Sequence, residues 1–148
     1  MSKRQPSLRE LISLRTGRIS EELAEATVTG INLVFPWPDR ELSPNARKNF
    51  RQKAKSVSIS RQYARFLTLS GQPQLVFSPS ARLETTLTFY PPDNRKRDID
   101  NLLASMKSSL DGIFDALEMN DNCVRRTVLE WGDTIAGGRV TIEIQEVK

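Results

Sequence analysis

The chain has 148 residues, enough for one domain that buries a core without disulfides or a structural metal. It contains no histidine, which excludes Ser-His-Asp and Cys-His catalysis and histidine-ligated zinc, and leaves carboxylates, lysine, hydroxyls or a hard metal ion for any chemistry. The net charge of +4 is by itself weak evidence for any partner. The single cysteine, Cys123, and the absence of any apolar run of membrane length predict a soluble, cytoplasmic protein.

The predicted elements follow the order β-α-β-α-β-β. Residues 1–28 are predicted to be a polar leader, in part helical, and residues 29–148 to form one domain. Apolar and polar residues alternate over residues 29–36, 83–89 and 140–144, and the run 123–131 is also predicted to be extended, which gives four strands. A long helix is predicted to begin at Ser43-Pro44 and to end near Gly71, and a second one to lie between the second and third strands. The sequence therefore predicts an α+β fold, a single compact domain whose small mixed four-stranded sheet packs against two main helices.

The first predicted helix is strongly basic. From Ser43 to Leu83 the chain has no Asp or Glu, and Arg47, Lys48 and Arg51 open the helix. Charge of one sign on this scale favours a polyanionic partner such as DNA, although a solvated basic helix is the alternative. An apolar stripe of helical period is predicted to face the core: Phe50, Ala54, Val57, Ala64 and Leu67.

Acidic residues are concentrated at the start of the second predicted helix. Asp98 and Asp100 are separated by one residue, and an extended backbone would point both carboxylates to one side. Asp121 follows the helix, where a returning chain could bring it back to the pair. Carboxylates of this kind bind Mg²⁺, with Mn²⁺ as a substitute. The alternative is that Asp98 or Asp100 caps the helix, and Asp111 is expected about 16 Å farther along a straight helix, too far to share the metal.

Three cations precede these acids. Arg95, Lys96 and Arg97 stand directly before Asp98, so the segment could hold a phosphate backbone while it presents a metal ion to it. The alternative is a protein that only binds DNA, in which the basic helix recognises branched or duplex DNA by its shape and the aspartates are structural caps. A nucleotide-sugar transferase, for which D-x-D is also a signature, is a weaker alternative because nothing else in the chain predicts a nucleotide-binding fold.

Several motifs together resemble the RusA-type Holliday-junction resolvases, which are common in phages and prophages. They are Arg97-Asp98-Ile99-Asp100-Asn101-Leu102, Asn120-Asp121, Phe35-Pro36-Trp37-Pro38 and Leu42-Ser43-Pro44-Asn45-Ala46-Arg47. The resemblance covers about residues 30–148 and leaves the leader outside. It implies a Mg²⁺-dependent homodimeric endonuclease of a bacterial cell or phage-infected host, which cuts two opposed strands of a four-way DNA junction in recombination and repair. The family's three catalytic aspartates, which hold the metal, fall on Asp98, Asp100 and Asp121.

One position departs from the family pattern. Members of the family can carry a catalytic lysine one helical turn after the second aspartate, where this chain has Ala104. Lys107 is the available substitute, because it lies on the same helical stripe and helical side chains lean toward the N-terminus. The alternative is an i,i+4 ion pair between Lys107 and Asp111.

Overall fold

The computed structural model describes residues 30–47, 49–71 and 77–147, so the predicted leader and Lys48 lie outside the described residues. Within these residues, the strands and α-helices follow the predicted order, except that two helices stand where the second one was predicted. They are β1 Gly30–Pro36, α1 Phe50–Gly71, β2 Leu83–Tyr90, α2 Ile99–Ser105, α3 Lys107–Leu117, β3 Val124–Trp131 and β4 Arg139–Glu146. Two short 3₁₀ turns, Arg40–Leu42 and Asp121–Cys123, precede α1 and β3.

The four strands form one mixed sheet in the order β1-β4-β2-β3. β4 runs antiparallel to both of its neighbours, and β2 and β3 are parallel. The register places Leu33, Ile142, Leu87 and Leu129 side by side, one from each strand. The predicted α+β fold with a small mixed sheet is confirmed.

The core lies on one face of the sheet, where the helices cover it. Alternate residues of β1, β2 and β4 are buried, as the period of two requires. α3 packs closely against α1 at Gly112, where an added Cβ would lie 2.9 Å from the Cβ of Ala64. Glycine is therefore needed at this crossing because no larger residue leaves room for the α1 backbone.

The first helix begins later than the sequence predicts. α1 starts at Phe50 because Asn49 caps it, its side-chain Oδ1 accepting a hydrogen bond of 3.0 Å from the backbone N–H of Arg51. Ser43 instead belongs to a preceding turn, in which its carbonyl accepts a hydrogen bond from the N–H of Ala46 at 3.1 Å. Of the predicted apolar stripe, Ala64 is buried, whereas Phe50 is 85% exposed.

The second predicted helix is divided into two. α2 and α3 meet at Met106, whose backbone (φ −94°, ψ 0°) departs from ideal helical angles. The Met106 side chain is buried, 2% exposed, so the interruption is anchored in the core. None of the helices in the described ranges is long and apolar enough to cross a membrane.

Candidate active site

A cavity of about 650 Å³ lies between α2, α3 and the beginning of β3. We call it the acidic pocket. Asp100 enters from α2, Asp121 from the turn before β3, and Lys107 and Asp111 from α3. The remaining walls are mainly apolar: Thr85, Leu103, Ala104, Leu110, Phe114, Val124 and Thr127.

Asp121 reaches the acidic pocket because the chain reverses after α3. Glu118 ends the helix in the left-handed conformation (φ 54°, ψ 39°), and the N–H of Met119 bonds to the carbonyl of Phe114 at 3.1 Å. Asn120 then accepts a hydrogen bond of 3.0 Å from the N–H of Asn122 through its side chain. This Asx turn places Asp121 at the start of β3, so Asp100 and Asp121 line one cavity.

Asp111 also lines the acidic pocket, from α3, while Asp100 lines it from α2. The sequence predicts that the two lie about 16 Å apart along a straight helix, too far to share a metal ion. Lining one cavity does not require sharing one ion. Asp111 enters the site as the partner of Lys107, whose Nζ lies 2.8 Å from its Oδ1.

Lys107 joins two of the carboxylates. Its Nζ lies 2.8 Å from Oδ1 of Asp111 and 3.0 Å from Oδ2 of Asp121. The hydrogen bond to Asp111 contributes most and the one to Asp121 next. Together they raise the pKa of Lys107 above its ordinary value of 10.5 and keep the side chain cationic. Lys107 therefore forms the i,i+4 ion pair with Asp111 that the sequence offered as an alternative. Its bond to Asp121 places the same ammonium group in the acidic pocket.

The donor atoms of the acidic pocket suit a hard metal ion. Mg²⁺ is commonly held by one or two carboxylates, with water and substrate phosphate completing its shell, and Asp100 and Asp121 supply two. The Lys107 ammonium between Asp111 and Asp121 is a cation at this edge of the pocket, which indicates that the position favours positive charge. Among residues 30–47, 49–71 and 77–147, no group of three or more acidic or cysteine side chains is close enough to hold a metal ion.

Asp98 lies apart from the acidic pocket. The extended backbone ends at Asp98 (φ −87°, ψ 123°), and Asp100 is already in α2, so the expected period of two does not apply across them. Asp98 lines a smaller cavity of about 230 Å³ with Trp37, Arg97 and Asn101, which we call the tryptophan pocket. Its Oδ2 accepts one long hydrogen bond, 3.5 Å from Nδ2 of Asn101. Within the described residues, its side chain forms no capping bond to the backbone of α2.

Arg97 is occupied in holding its own loop. The side chain is only 18% exposed, and one guanidinium nitrogen donates to Oδ1 of Asp93 at 2.8 Å. The other guanidinium nitrogen donates hydrogen bonds to the backbone carbonyls of Asp93 and Arg95, each at 3.1 Å. The guanidinium group also lies 5.4 Å from the ring centroid of Trp37. The N–H of Arg95, and next the side chain of Arg97, lower the pKa of Asp93.

The other predicted cations are placed differently. Arg95 and Lys96 are exposed at the loop surface, where phosphate could reach them. Arg47 and Arg51 are also exposed, around the start of α1. Three apolar residues that were not predicted as a surface are exposed on α1 at i, i+4 and i+7, a spacing that the sequence shows: Ile59 56%, Tyr63 45% and Phe66 68% exposed.

Thr85 and Thr127 were also missed. They are register partners on the parallel strands β2 and β3, and both line the acidic pocket. Only the strand order places them together, and two threonines in separate strands give no sequence signal for a site.

Comparison with known proteins adds one relative and no family. No family model matches the chain. A stretch of 91 residues is 40% identical to a protein of Xylella fastidiosa (strain Temecula1 / ATCC 700964) that is described as an uncharacterized protein. The match covers 61% of this chain and 60% of the relative.

Proposed function

We propose that this protein is a Mg²⁺-dependent, structure-specific endodeoxyribonuclease of the RusA type, which resolves four-way DNA junctions in recombination and repair. The observation that carries the proposal is the shared pocket of Asp100 and Asp121, which lie on separate elements but line one cavity together with Lys107. The exposed cations Arg95 and Lys96 immediately before α2 support it, because they offer phosphate contacts close to that cavity.

Each residue has a defined part in the proposed reaction. Asp100 and Asp121 hold Mg²⁺, which when bound polarises the phosphodiester and activates a water. Lys107, with its ammonium 3.0 Å from Asp121, places positive charge where negative charge develops on the phosphate. Arg95 and Lys96 hold the neighbouring phosphates and so fix the strand relative to the carboxylates.

In the proposed reaction, Asp98 joins the metal site by changing its side-chain rotamer. Its carboxylate is exposed and bound to Asn101 at 3.5 Å, so rotation about the Cα–Cβ bond costs little. We infer that Asp98 turns toward Asp100 when metal and DNA are bound, and completes the set of three carboxylates that the family resemblance implies.

A twofold homodimer is part of the proposal, because two opposed strands must be cut. The exposed apolar residues of α1, Ile59, Tyr63 and Phe66, support it as the surface that a second copy would cover. Sedimentation of the purified protein tests the assembly directly.

The experiment that tests the function is incubation of the purified protein with a synthetic four-way junction, with Mg²⁺ and with EDTA. Paired cuts at symmetry-related positions, present only with Mg²⁺ and absent on a linear duplex of the same sequence, are the expected result. Binding of the junction without cleavage, with Mg²⁺ and Mn²⁺ alike, would contradict it.

That contrary outcome would favour a second function, a DNA-binding module without catalysis. The ion pairs of Lys107 with Asp111 and Asp121 favour it, because a network of this kind can serve stability alone. Arg95, Lys96, Arg47 and Arg51 would then recognise branched or duplex DNA by its shape and charge.

A further inference from the structure

The acidic pocket is larger than a metal site requires. A Mg²⁺ ion with its ligands needs only the rim where the carboxylates lie, whereas the cavity measures about 650 Å³. Its wall is built mainly from apolar side chains: Leu103, Leu110, Phe114 and Val124. Cavities of this size with apolar walls and few polar groups are typical of sites for small organic groups.

One polar group in this wall has no partner. Thr85 is 2% exposed, and its Oγ1 forms no hydrogen bond to any described residue. A buried hydroxyl without a partner destabilises the free protein, and a ligand that offers a donor or acceptor would relieve that cost. Thr127, its register partner on β3, adds a second hydroxyl to the same wall.

The charges at the rim decide what the cavity can accept. Three carboxylates and one ammonium group line it, and that ammonium is already bound to two of the carboxylates. A phosphate group would be repelled from the interior and held at the rim only with a metal ion. The rim therefore disfavours anionic groups. Of the groups that DNA offers, the base carries no negative charge, and it has apolar faces and a polar edge.

We propose that the acidic pocket receives a nucleobase, turned out of the DNA next to the phosphate that is cut. This inference rests on the proposed function. The apolar wall would stack on the faces of the base, and the hydroxyls of Thr85 and Thr127 would bond to its edge. Turning a base out costs least where stacking is already broken, as it is at the centre of a four-way junction.

The experiment uses junctions that carry 2-aminopurine, a base whose fluorescence rises when it leaves the stack, at each position around the cut in turn. Binding is measured in the same samples by anisotropy, with Ca²⁺ in place of Mg²⁺. We expect a several-fold rise in fluorescence at one position beside the cut and an unchanged signal at positions farther along the arm.

Two substitutions link that signal to the pocket. Ala104→Leu fills the cavity from an exposed position on α2, and should remove the fluorescence rise at saturating protein. Ala54→Leu makes the same change at an exposed position of α1 and should leave the rise intact. Thr85→Val removes the unpartnered hydroxyl at constant shape; it should raise the melting temperature of the free protein and reduce the rise, whereas Thr86→Val should not reduce it.

The outcomes separate this inference from the proposed function. If the wild type cuts junctions but no 2-aminopurine position brightens, or if Ala104→Leu retains the full rise, the base pocket is wrong and the nuclease stands. If the wild type neither binds nor cuts junctions, both proposals fail.

Discussion

Two pockets lie on either side of the start of α2, and they use charge in opposite ways. In the acidic pocket, carboxylates outnumber cations, and Lys107 is shared between Asp111 and Asp121. In the tryptophan pocket, Arg97 is fully engaged by its own loop and by the ring of Trp37. The first pocket therefore keeps negative charge that can bind a metal ion. In the second, Arg97 holds the chain in place, and Asp98 keeps one long hydrogen bond of 3.5 Å, to Asn101.

The largest expected effect comes from removing a carboxylate from the acidic pocket. Asp100→Asn and Asp121→Asn should each lower Mg²⁺-dependent junction cleavage by about 10³-fold or more, because each removes a metal ligand and its electrostatic role. Cleavage rates under single-turnover conditions measure the loss.

Junction binding provides the control for these variants. Affinity should stay equal or increase, since a charge that repels phosphate has been removed, and melting temperatures should change little because both side chains are exposed. Loss of binding together with cleavage would instead indicate a structural part for these aspartates.

Asp98→Asn tests whether the two pockets act together. We expect its cleavage to fall as it does for Asp100→Asn, because a rotated Asp98 completes the site on DNA. Its metal affinity without DNA should match the wild type, since in the free protein Asp98 lies in the tryptophan pocket. Terbium luminescence or calorimetry on the free protein measures this, with Asp100→Asn as the variant that should bind weakly. Full cleavage by Asp98→Asn would show that the tryptophan pocket takes no part in catalysis.

The contrast between the pockets also explains how far sequence reasoning reached. The four strands and the sheet class follow from alternation and turn residues, which are local signals. The positions of Asp98 and Asp100 depend on where an extended segment becomes a helix, a boundary that shifts by a residue or two under tertiary forces. The interruption at Met106 has no signal in the sequence because neither Pro nor Gly marks it.

A smaller effect is expected from Lys107, which spans the edge of the acidic pocket. Lys107→Ala should lower turnover by about 10²-fold, as removal of an electrostatic stabiliser does. Adding Ala104→Lys in that background should recover part of the rate, because position 104 lines the same pocket. A Lys107→Ala protein that cuts at the wild-type rate would reduce Lys107 to an ion-pair partner of Asp111 and Asp121.

The cations of the loop should affect affinity more than turnover. Arg95→Gln and Lys96→Gln should each lower the slope of log affinity against log salt by about 0.9, the value for one phosphate contact on duplex DNA. Arg97→Gln is the matched comparison. The Arg97 side chain is only 18% exposed and bonds to Asp93 at 2.8 Å, whereas Arg95 is 73% exposed and lies 3.5 Å from Asp93, so the loss of Arg97 should change the slope less. Arg47→Gln and Arg51→Gln extend the test to α1. An unchanged slope for Arg95→Gln and Lys96→Gln would place the DNA elsewhere.

The smallest effects concern stability, and pH separates the Asp93–Arg97 ion pair from the ion pairs of Lys107. The pKa of Asp93 is lowered from its ordinary value of 3.8 by the Arg95 N–H and by Arg97, so its contribution is present above that value and is lost as pH falls below it. The pKa of Lys107 is raised above 10.5, so its contribution is present below that value and is lost as pH rises beyond it. Asp93→Asn should therefore lower the melting temperature slightly at pH 6 and converge with the wild type in acid, where the carboxyl group is protonated. Lys107→Met should lower it near neutral pH and converge with the wild type in alkali, where the ammonium group loses its proton. Melting curves across pH measure both. A difference for Asp93→Asn that persists in acid, or one for Lys107→Met that persists in alkali, would contradict the assigned ion pair.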